Sequence, residues 1–235
     1  MVVSSPVFNS TPIFNSTLMA SKPLEEARQL PLGKIVCVGR NYAEHAAELN
    51  NPVPEQPLLF IKPATSAVTM QQPLQLPKGV GDVHYETEIA LLIGQPLSKA
   101  SVTEALASVV GVGLALDLTL RDLQAELKKL GHPWERAKAW DGACPLSNFI
   151  AAEQVKDWQA LELSLSINGV EKQRGQASQM LMPIAELLSH ISQTFTLLPG
   201  DVVITGTPAG VGKLAAGDRL QLELTGLLKV ATQVI

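Results

Sequence analysis

Two glutamates, Glu86 and Glu88, stand two residues apart just before a strongly apolar segment, IALLIG. In a β-strand, residues two apart point to the same face, roughly 6.5–7 Å apart along the chain. Two carboxylates side by side at the edge of a core repel each other and are costly to bury. A divalent cation reverses that cost, whereas a solvated polar strand face is the alternative interpretation of this segment alone.

A third carboxylate, Asp117, ends the apolar run GVGLALD. An unpaired carboxylate is expensive in such surroundings, although a turn or N-cap role for the following helix is the alternative. Three carboxylates without a nearby His or Cys form a hard oxygen site, which suits Mg²⁺ or Mn²⁺ and does not suit Zn²⁺ or Cu²⁺. We therefore predict that Glu86, Glu88 and Asp117 hold a divalent metal. About three of its six positions would remain for water or a chelating substrate.

The segment GRNYAEHAAE contains His45 and Glu48, which share a face if the segment is helical. A carboxylate next to an imidazole raises its basicity and fixes its tautomer, as a general base requires. An ordinary exposed pair three residues apart is the alternative.

Four further residues have side chains suited to binding an anionic substrate. Arg121 and Gln124 share a face of the helix that follows Asp117, and Lys138 lies among small and apolar residues in RAKAWDG. Thr207 lies in the glycine-rich segment TGTPAGVG, whose spacing matches neither a Walker A loop nor a dinucleotide fingerprint. Each has a plain alternative: a solvated helix face for the first two, a surface lysine, and a tight turn.

The elements that would position these side chains are mainly strands. Short apolar runs such as KIVCVG, PLLFIKP, YETEIALLIG and DVVITG predict strands, and LELSLSING with VEKQRGQAS predicts a hairpin turning at Asn168-Gly169. Residues 119–131 predict a helix with a Thr119–Asp122 capping box and Gly131 as its stop. Because strands outnumber helices without regular alternation, the pattern predicts an α+β fold with a mixed or mostly antiparallel β structure.

Composition excludes several classes of protein. The 235 residues are 46% hydrophobic and 17% charged, which is typical of a globular chain. A net charge of −4 provides no electrostatic footprint for nucleic acid or an anionic membrane. There is no run of ~18 apolar residues and no secretory signal pattern, so we predict a cytoplasmic protein. The two cysteines, Cys37 and Cys144, lie in apolar stretches and are predicted to be buried, reduced thiols.

The N-terminal residues 1–30 differ from the rest of the chain. A short duplication, PVFNST then PIFNST, predicts an extended arm followed by a polar link, an appendage that packs on the body or on a partner subunit. We assign residues 1–30 to this arm and 31–235 to a single catalytic domain.

Taken together, the segments resemble the fumarylacetoacetate hydrolase family, in particular its small single-domain members of the acylpyruvase and oxaloacetate decarboxylase type. The matching stretches occur in order over roughly residues 33–212 and are GRNYAEHAAE, PLLFIKPATS, HYETEIALLIG, GLALDLTLRDLQ, PWERAKAWDGACPLS and TGTPAGVG. The resemblance implies a β-rich, mixed-sheet roll of the type found in the C-terminal domain of that family. It also implies a homodimer with a Mg²⁺ or Mn²⁺ site.

Carried over by position, the resemblance assigns a role to each candidate residue. The implied metal ligands are Glu86, Glu88 and Asp117. The implied water-activating pair on a lid is His45 and Glu48. The implied substrate-binding residues are Lys138, at the metal, with Arg121, Gln124 and Thr207.

The implied function is hydrolysis of the carbon–carbon bond in acylpyruvate-type 2,4-dioxo acids through an enolate that the metal stabilises. Decarboxylation or tautomerisation of oxaloacetate, and isomerisation of a 2-hydroxy-dienedioate, are alternatives that share this enolate. In related proteins the loop that corresponds to AWDGACP contains Ser or Thr and Phe. Because this sequence differs there, the resemblance does not predict which substrate the pocket prefers. A catalytically idle metal-binding scaffold on the same fold is the alternative from another class.

Overall fold

The computed structural model describes residues 21–48 and 55–235. The helices in this part of the chain are α1 (Lys22–Gln29), α2 (Ala43–Glu48), α3 (Val102–Ala107), α4 (Arg121–Leu130), α5 (Glu135–Lys138) and α6 (Ile184–Thr194). The strands are β1 (Ile35–Gly39), β2 (Leu58–Lys62), β3 (Ala67–Thr69), β4 (Val83–Tyr85), β5 (Thr87–Ile93), β6 (Val109–Leu116), β7 (Thr119–Leu120), β8 (Cys144–Leu146), β9 (Ile150–Ala151), β10 (Glu162–Ile167), β11 (Val170–Gln176), β12 (Val202–Ile204), β13 (Gly212–Lys213), β14 (Arg219–Leu224) and β15 (Leu228–Gln233).

The strands form three sheets. The largest is mixed and has the strand order β2-β1-β12-β5-β6-β8-β3, with β9 also paired to β6. In it, β1 runs parallel to β12 and β3 runs parallel to β8, while β5 is antiparallel to both β12 and β6. Antiparallel sheets of order β11-β10-β14-β15 and β13-β4-β7 accompany it. The predicted α+β, β-rich mixed-sheet class is confirmed.

Strand β5 is buried along its whole length because an apolar cluster covers each of its faces. Ile89 and Leu91 belong to the larger cluster, which also includes residues of α6 and of the four-stranded sheet. Leu92 belongs to the smaller cluster, together with Cys37 and Cys144. Both cysteines are buried and free, as the sequence predicts. A strand covered on both faces needs a continuous apolar run, which explains why β5 does not alternate.

The polar link predicted before the first strand is wrong, because residues Lys22–Gln29 form helix α1, whose apolar side packs onto the body of the protein. Leu24 and Ala27 of α1 are 0% and 4% exposed and belong to the smaller apolar cluster. The remainder of the predicted arm, residues 1–20, lies outside the described residues, and so does the PVFNST/PIFNST duplication.

Helix α4 begins later than its sequence indicates. Thr119 lies in β7, and its hydroxyl donates to the carbonyl of Asp117 at 3.1 Å. The predicted Thr119–Asp122 capping box is therefore wrong, because strand pairing holds Thr119 and the helix starts only at Arg121 without a side-chain cap. Its predicted end is confirmed, since Gly131 adopts the left-handed conformation with φ 67°.

The predicted hairpin is confirmed between β10 and β11. Its turn residues Asn168 and Gly169 have φ values of 54° and 79°, the two left-handed conformations that a two-residue hairpin turn prefers. The longest helix in the described chain is α6, with 11 residues. None of the helices in the described ranges has the length and apolar character needed to cross a membrane.

Candidate metal centre and active site

Two adjacent strands bring the three acidic residues together. Glu88 lies in β5 and Glu86 directly precedes it, while Asp117 directly follows β6. These strands pair antiparallel, and the backbone N–H of Asp117 donates to the carbonyl of Glu86 at 2.8 Å. One carboxylate oxygen of each residue lies within 4.8 Å of the others, and the residues are 5%, 1% and 1% exposed. The predicted convergence of these carboxylates is therefore present.

Cationic side chains partly neutralise this acidic cluster. Lys138 Nζ lies 2.9 Å from Glu86 Oε2 and 2.6 Å from Asp117 Oδ2. Arg121 donates to Glu86 Oε1 at 2.5 Å. Burial alone raises the pKa of Glu86, but Lys138 and Arg121 outweigh it and hold that pKa well below its usual range. Glu86 is thus a fixed anion at neutral pH.

Glu88 is in a different electrostatic position. Within residues 21–48 and 55–235 it forms no ion pair, and its Oε2 accepts the backbone N–H of Gly206 at 2.6 Å. Burial, followed by the neighbouring charges of Asp117 and Glu86, raises the pKa of Glu88 well above the usual range. A divalent cation would remove this repulsion. The donor set is entirely carboxylate oxygen, which fits Mg²⁺ or Mn²⁺.

Eight of the nine predicted site residues line one pocket beside this cluster. They are His45, Glu86, Glu88, Asp117, Arg121, Gln124, Lys138 and Thr207. The ninth, Glu48, lies behind His45. Residues from widely separated parts of the chain therefore meet at one place, as the sequence predicts.

The pair on α2 is held at both ends. His45 is 5% exposed, and its Nδ1 lies 3.4 Å from Glu48 Oε2. The Glu48 carboxylate also accepts the backbone N–H of Gly210, at 3.1 and 3.2 Å to its two oxygens. Glu48 therefore orients the imidazole and ties α2 to the glycine-rich segment. Since Nδ1 faces Glu48, the other ring nitrogen, Nε2, is the one available to a ligand.

The predicted substrate contacts are organised before any ligand binds. Arg121 also donates to Gln124 Oε1 at 2.7 Å, so the two side chains form one polar surface. The Lys138 ammonium is buried. Burial lowers its pKa, but the carboxylates of Asp117 and Glu86 outweigh burial and raise the pKa above its usual value. Lys138 therefore stays charged at neutral pH and acts as a fixed positive charge.

The sequence missed the apolar wall of the pocket. Phe60 and Trp134 line it and pack edge to face with ring centroids 5.9 Å apart. Lys138 Nζ lies 5.3 Å from the Phe60 ring centroid, within the range of a cation–π contact. Nothing in the spacing of these two aromatics in the sequence indicates that they meet, because β2, which carries Phe60, and the start of α5, which Trp134 precedes, come together only in the folded protein.

Lys62 is a second residue that the sequence did not single out. It is 0% exposed, and its Nζ lies 2.8 Å from Asp117 Oδ1. It also donates to the carbonyl of Ala143 at 3.1 Å and to the carbonyl of Lys138. Lys62 thus holds Asp117 and the segment that carries Lys138. The available signal was a lysine inside the otherwise apolar strand PLLFIKP, where a charge needs a partner.

We expect Lys62→Met to lower the free energy of unfolding by about 3 kcal/mol, because it removes the buried cation that faces Asp117 Oδ1 and the hydrogen bonds that this cation donates to two carbonyls. Urea denaturation in EDTA measures this loss without a contribution from bound metal. Lys78→Met, which changes an exposed lysine, is the matched control and should alter stability by less than about 0.5 kcal/mol. Equal effects of the two substitutions would contradict the role given to Lys62.

Comparison with known proteins agrees with this geometry. The family model for the C-terminal domain of fumarylacetoacetate hydrolase matches residues 34–235. An oxaloacetate tautomerase of Escherichia coli is 50% identical over 197 residues, which is 83% of this chain and 90% of that protein.

Two solved structures share the fold at useful sequence identity. A fumarylpyruvate hydrolase from Pseudomonas aeruginosa, solved in complex with Mn²⁺ and pyruvate, is 37% identical with a TM-score of 0.83 and covers 87% of this chain and 90% of its own. A 5-carboxymethyl-2-hydroxymuconate delta-isomerase from Mycobacterium smegmatis is 36% identical with a TM-score of 0.77, and the match covers 88% of this chain and 80% of the isomerase chain. The chain is a member of the fumarylacetoacetate hydrolase family.

Proposed function

We propose that this protein is a divalent-metal-dependent enzyme that tautomerises oxaloacetate through an enolate at C3. The observation that carries the proposal is the convergence of three buried carboxylates, the Lys138 ammonium and the His45 imidazole in one pocket. The family consists of metal-dependent enzymes, and the relative that is 50% identical is an oxaloacetate tautomerase.

Glu86, Glu88 and Asp117 would hold Mg²⁺ or Mn²⁺, which supplies Lewis-acid polarisation of a 2-oxo group. The related hydrolase with Mn²⁺ and pyruvate supports this choice of metal and ligand class.

The balance of charge favours a substrate with two carboxylates. The three acidic side chains are matched by three buried or half-buried cations, Lys62, Lys138 and Arg121. A divalent cation adds two positive charges to this balanced group, and Arg40 and Lys128 also line the pocket. The metal-loaded pocket is therefore positive, which favours a dicarboxylate such as oxaloacetate over a monocarboxylate. Low-dielectric sites favour neutrality because an unmatched buried charge is expensive.

The protein's own side chains then divide the work. Arg121 and Gln124 present donors suited to a substrate carboxylate. Lys138 remains an ammonium and stabilises negative charge on the oxygen at C2. His45 Nε2 accepts the proton from C3, because Glu48 holds the other ring nitrogen. The His45 imidazolium then gives up this proton as the oxygen at C2 takes one up, which completes the tautomerisation, and the reverse sequence converts the enol into the ketone.

A second candidate activity is hydrolysis of acylpyruvates, and the His45–Glu48 pair favours it. A base next to a pocket can activate water for attack on a distal ketone, which breaks the bond between C3 and C4. The acyl group leaves as a carboxylate, and protonation at C3 gives pyruvate. Decarboxylation of oxaloacetate differs because its electrons come from the departing carboxylate, so no base and no water are needed.

The test is a panel of two assays with Mg²⁺, with Mn²⁺ and after EDTA. Loss of enol absorbance reports tautomerisation of oxaloacetate, and coupled pyruvate release reports its decarboxylation and the hydrolysis of acetylpyruvate. We expect metal-dependent tautomerisation to be the fastest reaction, with EDTA abolishing it. A metal-loaded protein that is silent across the panel would contradict the proposal and favour an idle metal-binding scaffold.

We also propose that the chain acts as a cytoplasmic homodimer whose residues 31–235 form the catalytic domain. Membership of the family supports the domain assignment, since the family model begins at residue 34. Size-exclusion chromatography with light scattering would give the mass of the protein in solution, and the mass of a monomer would contradict the dimer.

A further inference from the structure

A buried glutamine links the four-stranded sheet to the active site. Gln173 lies in β11 and is 1% exposed. Its Oε1 accepts the backbone N–H of Thr87 at 3.0 Å. Its Nε2 lies 2.8 Å from Thr207 Oγ1 and 3.0 Å from the carbonyl oxygen of Pro208. All of these contacts are buried, so the amide bridges two segments that carry site residues.

The orientation of this amide is fixed by its backbone partners. The N–H of Thr87 can only donate, so the atom that faces it must be the amide oxygen of Gln173. The carbonyl of Pro208 can only accept, so the atom that faces it must be the amide nitrogen. Thr207 Oγ1 lies next to that nitrogen and therefore receives a hydrogen bond from it.

This bond determines where the hydroxyl proton of Thr207 points. A hydroxyl has one proton, and the lone pair that faces Gln173 cannot share its position with that proton. The carbonyl oxygen of Pro208 is 3.5 Å from Thr207 Oγ1, which is long for a hydroxyl donor, and it already accepts from Gln173 Nε2. Thr207 is buried and lines the pocket. With one lone pair facing Gln173 and the Pro208 carbonyl distant, the hydroxyl proton is left for an acceptor inside the pocket, such as an anionic oxygen.

The same segment contacts the acidic cluster. Thr87, the partner of Gln173 Oε1, lies between Glu86 and Glu88 in the chain. Gly206, which precedes Thr207, donates its N–H to Glu88 Oε2 at 2.6 Å. Gln173 therefore holds Thr207 at a fixed position relative to two of the three carboxylates.

We propose that Gln173 is a positioning residue that acts through Thr207. Gln173 does not contact the ligand itself, but its hydrogen bond orients the Thr207 hydroxyl so that it donates to a carboxylate or enolate oxygen of the ligand. This assignment rests on the proposed function, because it requires a 2-oxo acid in the pocket. Through Gln173, the four-stranded sheet contributes to substrate binding although Gln173 itself does not line the pocket.

The test is a double-mutant cycle read by calorimetric titration of pyruvate into the Mn²⁺-loaded protein. The four proteins are the native chain, Gln173→Met, Thr207→Val and the double variant. Loss of one hydrogen bond to a charged group is expected to weaken pyruvate binding about tenfold. We expect each single variant to lose about tenfold and the double variant to lose about tenfold as well. Mn²⁺ affinity, titrated separately, should fall by less than the about tenfold that loss of a partner of a metal ligand costs, because Gln173 contacts none of the three carboxylates.

Two outcomes would overturn the assignment while leaving the proposed function intact. In one, the losses multiply to about a hundredfold in the double variant, which would mean that Gln173 acts independently of Thr207. In the other, Gln173→Met leaves pyruvate binding unchanged or weakens Mn²⁺ binding as much as pyruvate binding. A native protein that binds Mn²⁺ but not pyruvate would contradict the proposed function itself, and the assignment with it.

If Gln173→Met does not fold, Gln173→Glu replaces it in the same cycle. The carboxylate keeps an acceptor for Thr87 but offers Thr207 only acceptors, so the hydroxyl proton turns away from the ligand. The added charge is present in both backgrounds and cancels in the comparison. We expect the substitution to weaken pyruvate binding at least about fivefold more in the native background than in Thr207→Val. Equal factors in the two backgrounds would overturn the assignment.

Discussion

Glu88→Gln is expected to remove tight Mn²⁺ binding and to lower the rate of oxaloacetate tautomerisation by about 10³. Glu88 is one of three converging carboxylates, and loss of a ligand should cost more than the 10- to 100-fold known for outer-shell partners. A Lewis acid contributes several kcal/mol to stabilising an enolate, and each ~1.4 kcal/mol is tenfold in rate. Titration of Mn²⁺ and the tautomerisation assay measure the two effects.

The same substitution should stabilise the metal-free protein. Burial and two neighbouring carboxylates raise the pKa of Glu88 in the folded chain. The folded state therefore binds this proton more tightly than the unfolded state does. Its contribution to stability is lost as pH rises above the usual carboxyl pKa. Gln carries no charge and keeps an acceptor for the Gly206 N–H, so we expect unfolding in EDTA at pH 7 to cost about 1 kcal/mol more.

Glu126→Gln is the matched control for this pair of measurements. Glu126 is an exposed glutamate on α4, and its substitution should leave metal affinity, rate and stability unchanged. Retention of tight Mn²⁺ binding by Glu88→Gln would contradict the metal assignment. A loss of stability in EDTA would contradict the electrostatic account of why Glu88 is costly without metal.

His45→Ala is expected to lower both oxaloacetate tautomerisation and acylpyruvate hydrolysis by about 10³, within the range of a positioned general base. Oxaloacetate decarboxylation should fall by less than about tenfold, because loss of CO₂ supplies the electrons without a base. The three rates are compared on one preparation of Mn²⁺-loaded enzyme.

His132→Ala provides the control, since His132 is exposed, and all three rates should remain at their native values. If His45→Ala lowered all three rates equally, His45 would not be a base used only in tautomerisation and hydrolysis. That result would indicate that the substitution disturbs the structure of the whole pocket.

The sequence allowed us to predict the candidate metal ligands but not the residues that hold the site in place. Glu86, Glu88 and Asp117 were recognisable because a carboxylate beside an apolar run needs a partner. Lys62 carries a weaker signal, because a charge inside an apolar strand shows that a partner is needed but not which residue it is. Gln173 carries none, because a single glutamine in a strand is ordinary until its partners are known. Those partners, Asp117 and Thr207, are distant in sequence and meet only through the pairing of strands.

The fold shows the same distinction between local and tertiary information. The hairpin at Asn168-Gly169 and the stop at Gly131 follow from backbone conformations that only certain residues adopt, so they were predictable. The start of α4 was not, because pairing between β4 and β7 keeps Thr119 extended against its capping tendency. The order of strands in the large sheet is likewise set by non-local pairing, including the parallel contact of β1 with β12.

The most direct test of the central claim is an anomalous difference map, at the manganese edge, from a crystal of the protein grown with Mn²⁺ and pyruvate. We expect one strong peak about 2.1 Å from carboxylate oxygens of Glu86, Glu88 and Asp117, with pyruvate beside it. A catalytically active crystal with no peak at these three residues, or with its only peak elsewhere, would contradict the account.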